Sequence, residues 1–252
     1  MHVVTAGRAQ GAVTWTGGNV STNASVAVDG PFTGARLRDA YIESVRALTF
    51  GLAAVRNGAV AIGPVTLLRF GDPTVTRTSV EWPIEGGLLA GARGGTWRIN
   101  SAHGRVDATV TAFRPRLPRP LYTVSHLQVH ELFTRLFLLR LHGREPGAAV
   151  TTRQDRVRAA SVDVAFCLTL ARMTGRPRAR RTLLVAAAYH VVCWSVWGRT
   201  LGGAVMRQRV VAVDGSRLTP QQSFLRLCLL PLSWLSRRPL HDEIAQSEVV
   251  GG

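Results

Sequence analysis

Residues 143–155 read GREPGAAVTTRQD and divide the sequence into two parts of different composition. Two glycines and a proline interrupt regular structure there, and a polar run follows them. Alternating, turn-rich segments lie before this stretch, and apolar stretches separated by arginine-rich loops lie after it. We therefore predict a soluble α+β domain over residues 1–145, a linker over residues 146–155 and a second domain over residues 156–250.

The second domain contains three apolar stretches: residues 159–171, 183–197 and 223–235. Their uninterrupted cores are shorter than the ~20 residues that a perpendicular helix needs to cross a bilayer. Arg158, Arg172 and Arg199 at their ends can lengthen them, because a long basic side chain can reach the interface from inside the membrane. The pattern predicts an all-α membrane domain of about three transmembrane helices, with a re-entrant third stretch as the alternative.

The first domain contains two predicted helices and several predicted strands. Residues 34–56 place apolar side chains at helical spacing, and residues 125–142 form a second, largely apolar helix. The strand candidates, separated by turn residues, are 59–62, 65–70, 74–82, 96–100 and 106–113. Three prolines within residues 114–122 favour an extended connector. The expected fold is an antiparallel sheet with two helices.

Two alternatives for the role of the first domain follow from this order of elements. It is similar to ligand-binding folds of the helix-grip kind, which would capture an apolar ligand or lipid, and it equally suits a protein-interaction domain. Trp82, Glu85 and Trp97 are candidates for a small-molecule cleft, although buried sheet aromatics are commoner. His126 and His130 are four residues apart on one predicted helix, but no third ligand is evident. We therefore predict no metal site and no cofactor.

The charge of the chain favours anionic partners. All 31 basic residues are arginine, and against 15 acidic residues they give a formal charge of +16. Nucleic acid and anionic lipid both present surfaces that arginine engages, although a GC-rich genome would also favour arginine over lysine. Cys167, Cys193 and Cys228 are scattered through the apolar stretches and suggest buried thiols rather than disulfides. Without a recognisable signal peptide, we expect the first domain to be cytoplasmic.

Polar residues inside the apolar stretches are the first candidates for function. Asp163, His190 and Arg226 lie within them. Asp or Arg at mid-bilayer costs at least ~2.5 kcal/mol on insertion scales, so such groups usually face one another. The alternative for Asp163 is that it caps helix-end backbone near the headgroups.

Three motifs occur in order beside the apolar stretches: Arg156-Val-Arg-Ala-Ala-Ser-Val-Asp163; Trp197-Gly-Arg-Thr-Leu-Gly202 followed by Arg209-Val-Val-Ala-Val-Asp-Gly215; and Leu240-His-Asp-Glu-Ile-Ala245. Together they resemble the RDD family of bacterial membrane proteins, named for one arginine and two aspartates. The resemblance covers residues 156–250 and implies an RDD-like transmembrane domain, whereas the first domain has no assigned family. The family's role is poorly defined, with transport suggested for some members.

By this resemblance, Arg156, Asp163 and Asp242 are the charged residues that characterise the family. The chain departs from the family pattern, which usually continues its Thr-x-Gly segment with a lysine and later a glycine, whereas this chain has Gly203 and Arg207. We expect the three charged residues to form a network near the membrane interface, because a carboxylate in low dielectric needs a cation or donors to stay ionised. Further members of a polar network in the membrane are predicted: His190, Arg199, Arg226 and His241.

The sequence thus predicts a multi-pass protein of the cell membrane that serves ion or solute transport, or ligand and lipid handling. Under the functional interpretation Asp163 responds to protons or cations; under the structural one the polar residues hold helices together. We expect no catalytic residues and no enzyme activity. The expected partners are the bilayer and its anionic lipids, with a second copy or another protein as further partners and no nucleic acid.

Two other classes of function remain at this point. One is a membrane-tethered interaction or assembly protein without transport activity. The other is a soluble, basic nucleic-acid-binding protein whose apolar stretches form a core; the shortness of those stretches favours it, and the ordered motifs oppose it.

Overall fold

The computed structural model describes residues 12–143, 151–173, 179–236 and 238–251. The chain forms two compact units, residues 1–142 and 143–252. The division lies at the start of the composition change noted above. Part of the predicted linker lies outside the described residues, and its last three positions, residues 153–155, already belong to a helix.

The N-terminal unit is built on an antiparallel sheet of nine strands. The strands are β1 (Ala12–Thr16), β2 (Asn19–Ala27), β3 (Ala53–Arg56), β4 (Ala59–Ile62), β5 (Val65–Phe70), β6 (Thr74–Val75), β7 (Ser79–Gly86), β8 (Thr96–Ala102) and β9 (Arg105–Phe113). Their order across the sheet is β1-β2-β9-β8-β7-β5-β4-β3, and β6 pairs with β7. The sheet thus includes three strands, β1, β2 and β3, that we did not predict.

One face of the sheet carries the core, because successive side chains of a strand point to opposite faces. In β8, Trp97, Ile99 and Ser101 are buried, whereas the residues between them are at least partly exposed. Trp97 lies opposite Trp82 in the pairing of β7 with β8. This alternation is the pattern from which the strands from β4 onward were predicted.

Three helices accompany this sheet: α1 (Gly34–Leu48), α2 (Arg119–Val124) and α3 (His126–His142). The first was predicted to continue to residue 56, which is wrong. Thr49 ends α1 by donating its hydroxyl to Val45 O (2.6 Å), and Gly51 then has a φ of 78°, which glycine adopts without steric conflict. The chain turns there and enters β3.

The proline-rich connector was also predicted incorrectly. Arg119–Val124 form a short helix, with a proline in its first turn. A proline is tolerated there because the amide nitrogens of the first turn have no partner within the helix.

The C-terminal unit contains five helices and one pair of strands within its described residues: α4 (Arg153–Met173), α5 (Ala179–Val192), α6 (Leu201–Val205), α7 (Pro220–Ser236), α8 (Leu240–Ala245), β10 (Gln208–Ala212) and β11 (Ser247–Gly251). A π-helical turn at Cys193–Trp197 extends α5. Strands β10 and β11 pair antiparallel, with Val210 opposite Val249.

This architecture corrects the predicted fold class. The C-terminal unit is not all-α, because β10 and β11 are part of it. Among the described residues, no helix combines the length and the apolar character needed to span a bilayer. The physical reasons differ: α5 has 14 residues, which is about 21 Å at 1.5 Å per residue, and α4 has 21 residues but carries charges along its first half. The predicted domain of three transmembrane helices is therefore wrong.

Candidate functional site

A cavity of about 500 Å³ lies within the C-terminal unit. All the elements described for that unit contribute to its wall: α4, α5, the π-helical turn, α6, β10, α7, α8 and β11. Among the described residues, six arginines line it: Arg153, Arg156, Arg199, Arg209, Arg226 and Arg238. Asp163 is the one acidic residue in this described lining. The cavity is therefore strongly basic.

Asp242 on α8 joins two of these arginines. Arg156 Nη1 donates to Asp242 Oδ2 at 2.8 Å, and Arg226 Nη1 donates to Asp242 Oδ1. Ser247 Oγ donates to the same Oδ1 at 3.0 Å. Asp242 and Arg226 are nearly inaccessible, with side chains 6% and 4% exposed, whereas Arg156 is 25% exposed. Two cations thus share one carboxylate, and the cluster keeps a positive charge.

The environment of Asp242 favours its ionised form. Burial alone would raise the pKa of the carboxyl, but Arg226 and the other basic side chains around it lower that pKa below its usual value. The carboxylate is therefore charged throughout the neutral range.

Arg226 has a second set of contacts. Its guanidinium lies over the Trp194 ring, 5.0 Å from the centroid, and Nη1 also donates to Ser247 Oγ at 2.8 Å. Its Nε is buried and has no hydrogen-bond partner among the described residues. Arg226 thus brings an unsatisfied buried donor to the wall of the cavity.

Asp163 forms a separate centre on α4. Tyr189 Oη and Gly202 N donate to its Oδ1 at 2.8 Å each, and Thr200 Oγ1 donates to Oδ2 at 2.7 Å. Asp163 is 4% exposed. Since both oxygens accept from neutral donors on the segment that begins α6, this carboxylate ties α4 to α6.

The predicted network is therefore divided in two. Arg156 and Asp242 form an ion pair, whereas no ion pair joins Asp163 to any described residue. Asp163 nevertheless lines the same cavity, as do all four further predicted residues: His190, Arg199, Arg226 and His241. That these residues take part in the function of the protein stays a prediction.

The two histidines have different surroundings. His190 Nδ1 lies 2.8 Å from Ala186 O, one turn earlier on its own helix, and its ring contacts the Trp194 ring. His241 Nδ1 lies 2.7 Å from Ser233 Oγ, and its Nε2 lies 3.4 Å from Asp242 Oδ2. Burial, reinforced by Arg226 and Arg156 and opposed by Asp242, lowers the pKa of His241 to about 4. His241 is thus neutral at pH 7.

We expect the C-terminal unit to lose stability as the pH falls from about 6.5 to about 4. The unfolded chain takes up a proton at an ordinary histidine pKa near 6.5, whereas folded His241 resists it down to about 4, so protonation favours unfolding in this window. The loss is up to about 3 kcal/mol at 1.4 kcal/mol per pH unit. Hydrogen exchange of α7 and α8 at several pH values measures it. His241→Asn should flatten the profile, and an unchanged profile in that variant would contradict the assignment.

Sequence reasoning missed Arg153, Arg209, Arg238 and Trp194 as parts of this site. Arg153 and Arg156 are three residues apart and share a helix face. Predicting a helix over residues 153–156 would therefore have placed them together. Arg209 lies inside a quoted motif but reaches the cavity only through the pairing of β10 with β11. No comparable sequence pattern indicates that Arg238 or Trp194 belongs to the site.

In the comparison with protein families, residues 180–246 match the model described as the RDD family. The N-terminal unit has no assigned family, in agreement with the sequence analysis. No curated protein and no solved structure is significantly similar to this chain. The match supports a membrane protein of uncharacterised role. That the N-terminal unit lies on the cytoplasmic side of the membrane stays a prediction.

Proposed function

We propose that this chain is a membrane-associated binding protein whose C-terminal unit holds an anionic group, of the phosphate or carboxylate kind, in the basic cavity. One observation carries the proposal: Arg153, Arg199, Arg209 and Arg238 are exposed at the cavity and make no ion pair with any described residue. Arginine presents several N–H donors in a planar fork that matches phosphate and carboxylate oxygens.

The inner wall of the cavity supports the same ligand class. Arg226 supplies an unused buried Nε, and Arg156 remains partly accessible beside it. Since Asp242 neutralises only one of these two cations, an anion entering the cavity meets net positive charge at both the rim and the wall.

Apolar surface in the cavity favours a lipid headgroup as the source of the anion. Val157, Trp194 and Leu230 are among the lining residues and can contact hydrocarbon next to the headgroup. The match of residues 180–246 to a membrane family favours the same source. A free phosphate or small carboxylate has the same polar chemistry and lacks the hydrocarbon.

We favour binding over ion-coupled transport because of Asp163. Its two oxygens accept three hydrogen bonds from Tyr189, Thr200 and Gly202, which is the arrangement of a structural carboxylate. A carboxylate that exchanges protons or cations during transport needs at least one accessible oxygen. The proposal therefore assigns Asp163 to the architecture of the cavity.

Flotation of the full chain with lipid vesicles tests the proposal. We expect binding to vesicles that contain phosphatidylglycerol and little binding to pure phosphatidylcholine. The double substitution Arg199→Gln and Arg209→Gln should weaken binding on the order of a hundredfold, since each hydrogen bond from an arginine to a bound anionic group contributes about 1.5 kcal/mol. The matched control is Arg180→Gln with Arg181→Gln, which removes the same charge from exposed positions outside the cavity lining.

Calorimetry with inorganic phosphate separates the two sources. If phosphate binds the wild type but not the cavity variant, and vesicles do not bind, the ligand is a solute. Equal weakening by the cavity and control substitutions would instead show a diffuse charge effect and would refute the cavity as the site.

A further inference from the structure

The N-terminal unit contains a second cavity, of about 90 Å³, between the sheet and its helices. Strands β2, β5, β7, β8 and β9 supply one wall, and α1, α2 and α3 supply the other. Its lining is mainly aromatic and aliphatic, with Tyr41, Phe70 and Phe133 among the contributors. A single water needs only about 10–15 Å³ of such space, so this cavity can hold a small organic molecule.

The cavity is uncharged. No Asp, Glu or Arg is among its described lining residues. His130 lies on α3 with its Nε2 3.1 Å from Thr22 Oγ1, and burial lowers the pKa of His130 to about 4, which keeps it neutral. A charged ligand would lose its hydration here without gaining a counter-ion. The cavity thus selects against the anions that the C-terminal cavity attracts.

Two buried polar atoms around this cavity have no partner among the described residues: Trp97 Nε1 and His126 Nδ1. Trp97 is 4% exposed, and its indole N–H can act only as a donor. Buried donors are almost always satisfied, because an unmade hydrogen bond in a low dielectric is unfavourable. An acceptor atom on a molecule in the cavity would satisfy this one.

The packing around Trp97 holds its ring in place. Tyr41 lies 5.8 Å from it and His130 lies 5.7 Å from it, both measured between ring centroids. Trp97 is also held in β8, opposite Trp82. The donor is therefore preorganised, which reduces the entropy lost when a ligand binds.

We propose that the N-terminal unit binds a small, neutral, largely apolar ring compound that carries a carbonyl or hydroxyl oxygen, and that Trp97 Nε1 donates to that oxygen. The volume suits a ligand of roughly ten non-hydrogen atoms. The aromatic lining provides edge and face contacts for a ring. His126 Nδ1 provides a second polar contact, as donor or acceptor according to its tautomer.

Titration of the full chain with three matched compounds tests this inference. Acetophenone has the ring and the carbonyl, α-methylstyrene replaces the carbonyl by an apolar group of similar shape, and benzoate adds a charge. We expect acetophenone to bind with a Kd on the order of 100 µM, α-methylstyrene about tenfold more weakly, and benzoate not to bind.

The decisive variant is Trp97→Phe, which removes the indole donor and keeps an aromatic ring. It should weaken acetophenone binding about tenfold and leave α-methylstyrene binding nearly unchanged, so a general loss of folding cannot imitate the result. Trp82→Phe is the control, because Trp82 lies opposite Trp97 in the sheet but does not line the cavity. No binding of acetophenone to the wild type, tight benzoate binding, or equal loss for both neutral compounds would overturn the proposal.

Discussion

Asp242→Ala should lower the free energy of unfolding of the C-terminal unit by about 3–5 kcal/mol. The wild-type carboxylate accepts from Arg156, Arg226 and Ser247 at once. Without it, the guanidinium of Arg226 stays 4% exposed beside Arg156, and no other carboxylate among the described residues forms an ion pair with either arginine. Removing one member of a buried ion pair leaves an uncompensated charge, which is more damaging than removing both.

Segment-resolved hydrogen exchange measures this loss. Backbone amides in α7, α8 and β11 should exchange faster in the variant, because local opening of these elements requires less free energy. Glu243→Ala is the matched control, since Glu243 is the exposed neighbour of Asp242 on the same short helix, and its effect should stay within about 0.5 kcal/mol. A loss below about 1 kcal/mol for Asp242→Ala would show that the arginines find solvent or other partners.

Gly202→Ala should destabilise the same unit by about 3 kcal/mol or more. A Cβ at this position would lie 2.0 Å from Ala159 O and 3.0 Å from Asp163 Cγ. Because Ala159 O is backbone in the middle of α4, the clash cannot be relieved by a side-chain rotation. α4 and α6 would have to separate, which would break the hydrogen bond from Gly202 N to Asp163.

Gly203→Ala is the control for this substitution. It makes the same chemical change one residue later, where the nearest atom to a Cβ is Gln208 O at 3.1 Å. Ala favours a helix over Gly by up to about 1 kcal/mol, so the propensity term has the same sign at both positions. Chemical denaturation of both variants should show the larger loss at residue 202, and similar losses would mean that the approach of α4 to α6 is not tight.

These contacts give physical reasons for two of the sequence motifs. In the motif that ends at Gly202, Thr200 donates to Asp163 and Gly202 permits the close approach of α4. In the motif that begins at Leu240, Asp242 joins Arg226 to Arg156, which opens the first motif. Motifs that are separated along the chain thus meet around one cavity.

The failure of the transmembrane prediction has an equally specific reason. The apolar stretches were correctly predicted as helical segments. The prediction that they cross a membrane did not take into account that the polar residues within them pack inside the C-terminal unit. Arg226 lies in the third stretch and Asp163 in the first, and both are buried. Each has one partner in the second stretch, Trp194 for Arg226 and Tyr189 for Asp163, and their other partners lie outside the apolar stretches, at the start of α6, on α8 and on β11.

The sequence by itself determined the elements whose signal is local. Alternation in residues 96–100 and 106–113 indicated strands, and the composition changes from residue 143, where the two compact units divide. Three ordered motifs resemble the RDD family, and residues 180–246, which contain the second and third of them, match it. Each of these signals depends on neighbours within a few turns or on the order of residues along the chain.

Only the tertiary structure decided which charged groups pair. Asp163 and Asp242 had the same predicted role, yet one accepts from three neutral donors and the other joins two arginines. It also decided that β10 pairs with β11, a strand more than thirty residues later, and that four arginines remain exposed around one cavity. A hydrogen bond or ion pair depends on separations of a few tenths of an ångström, and those separations arise only when distant segments pack.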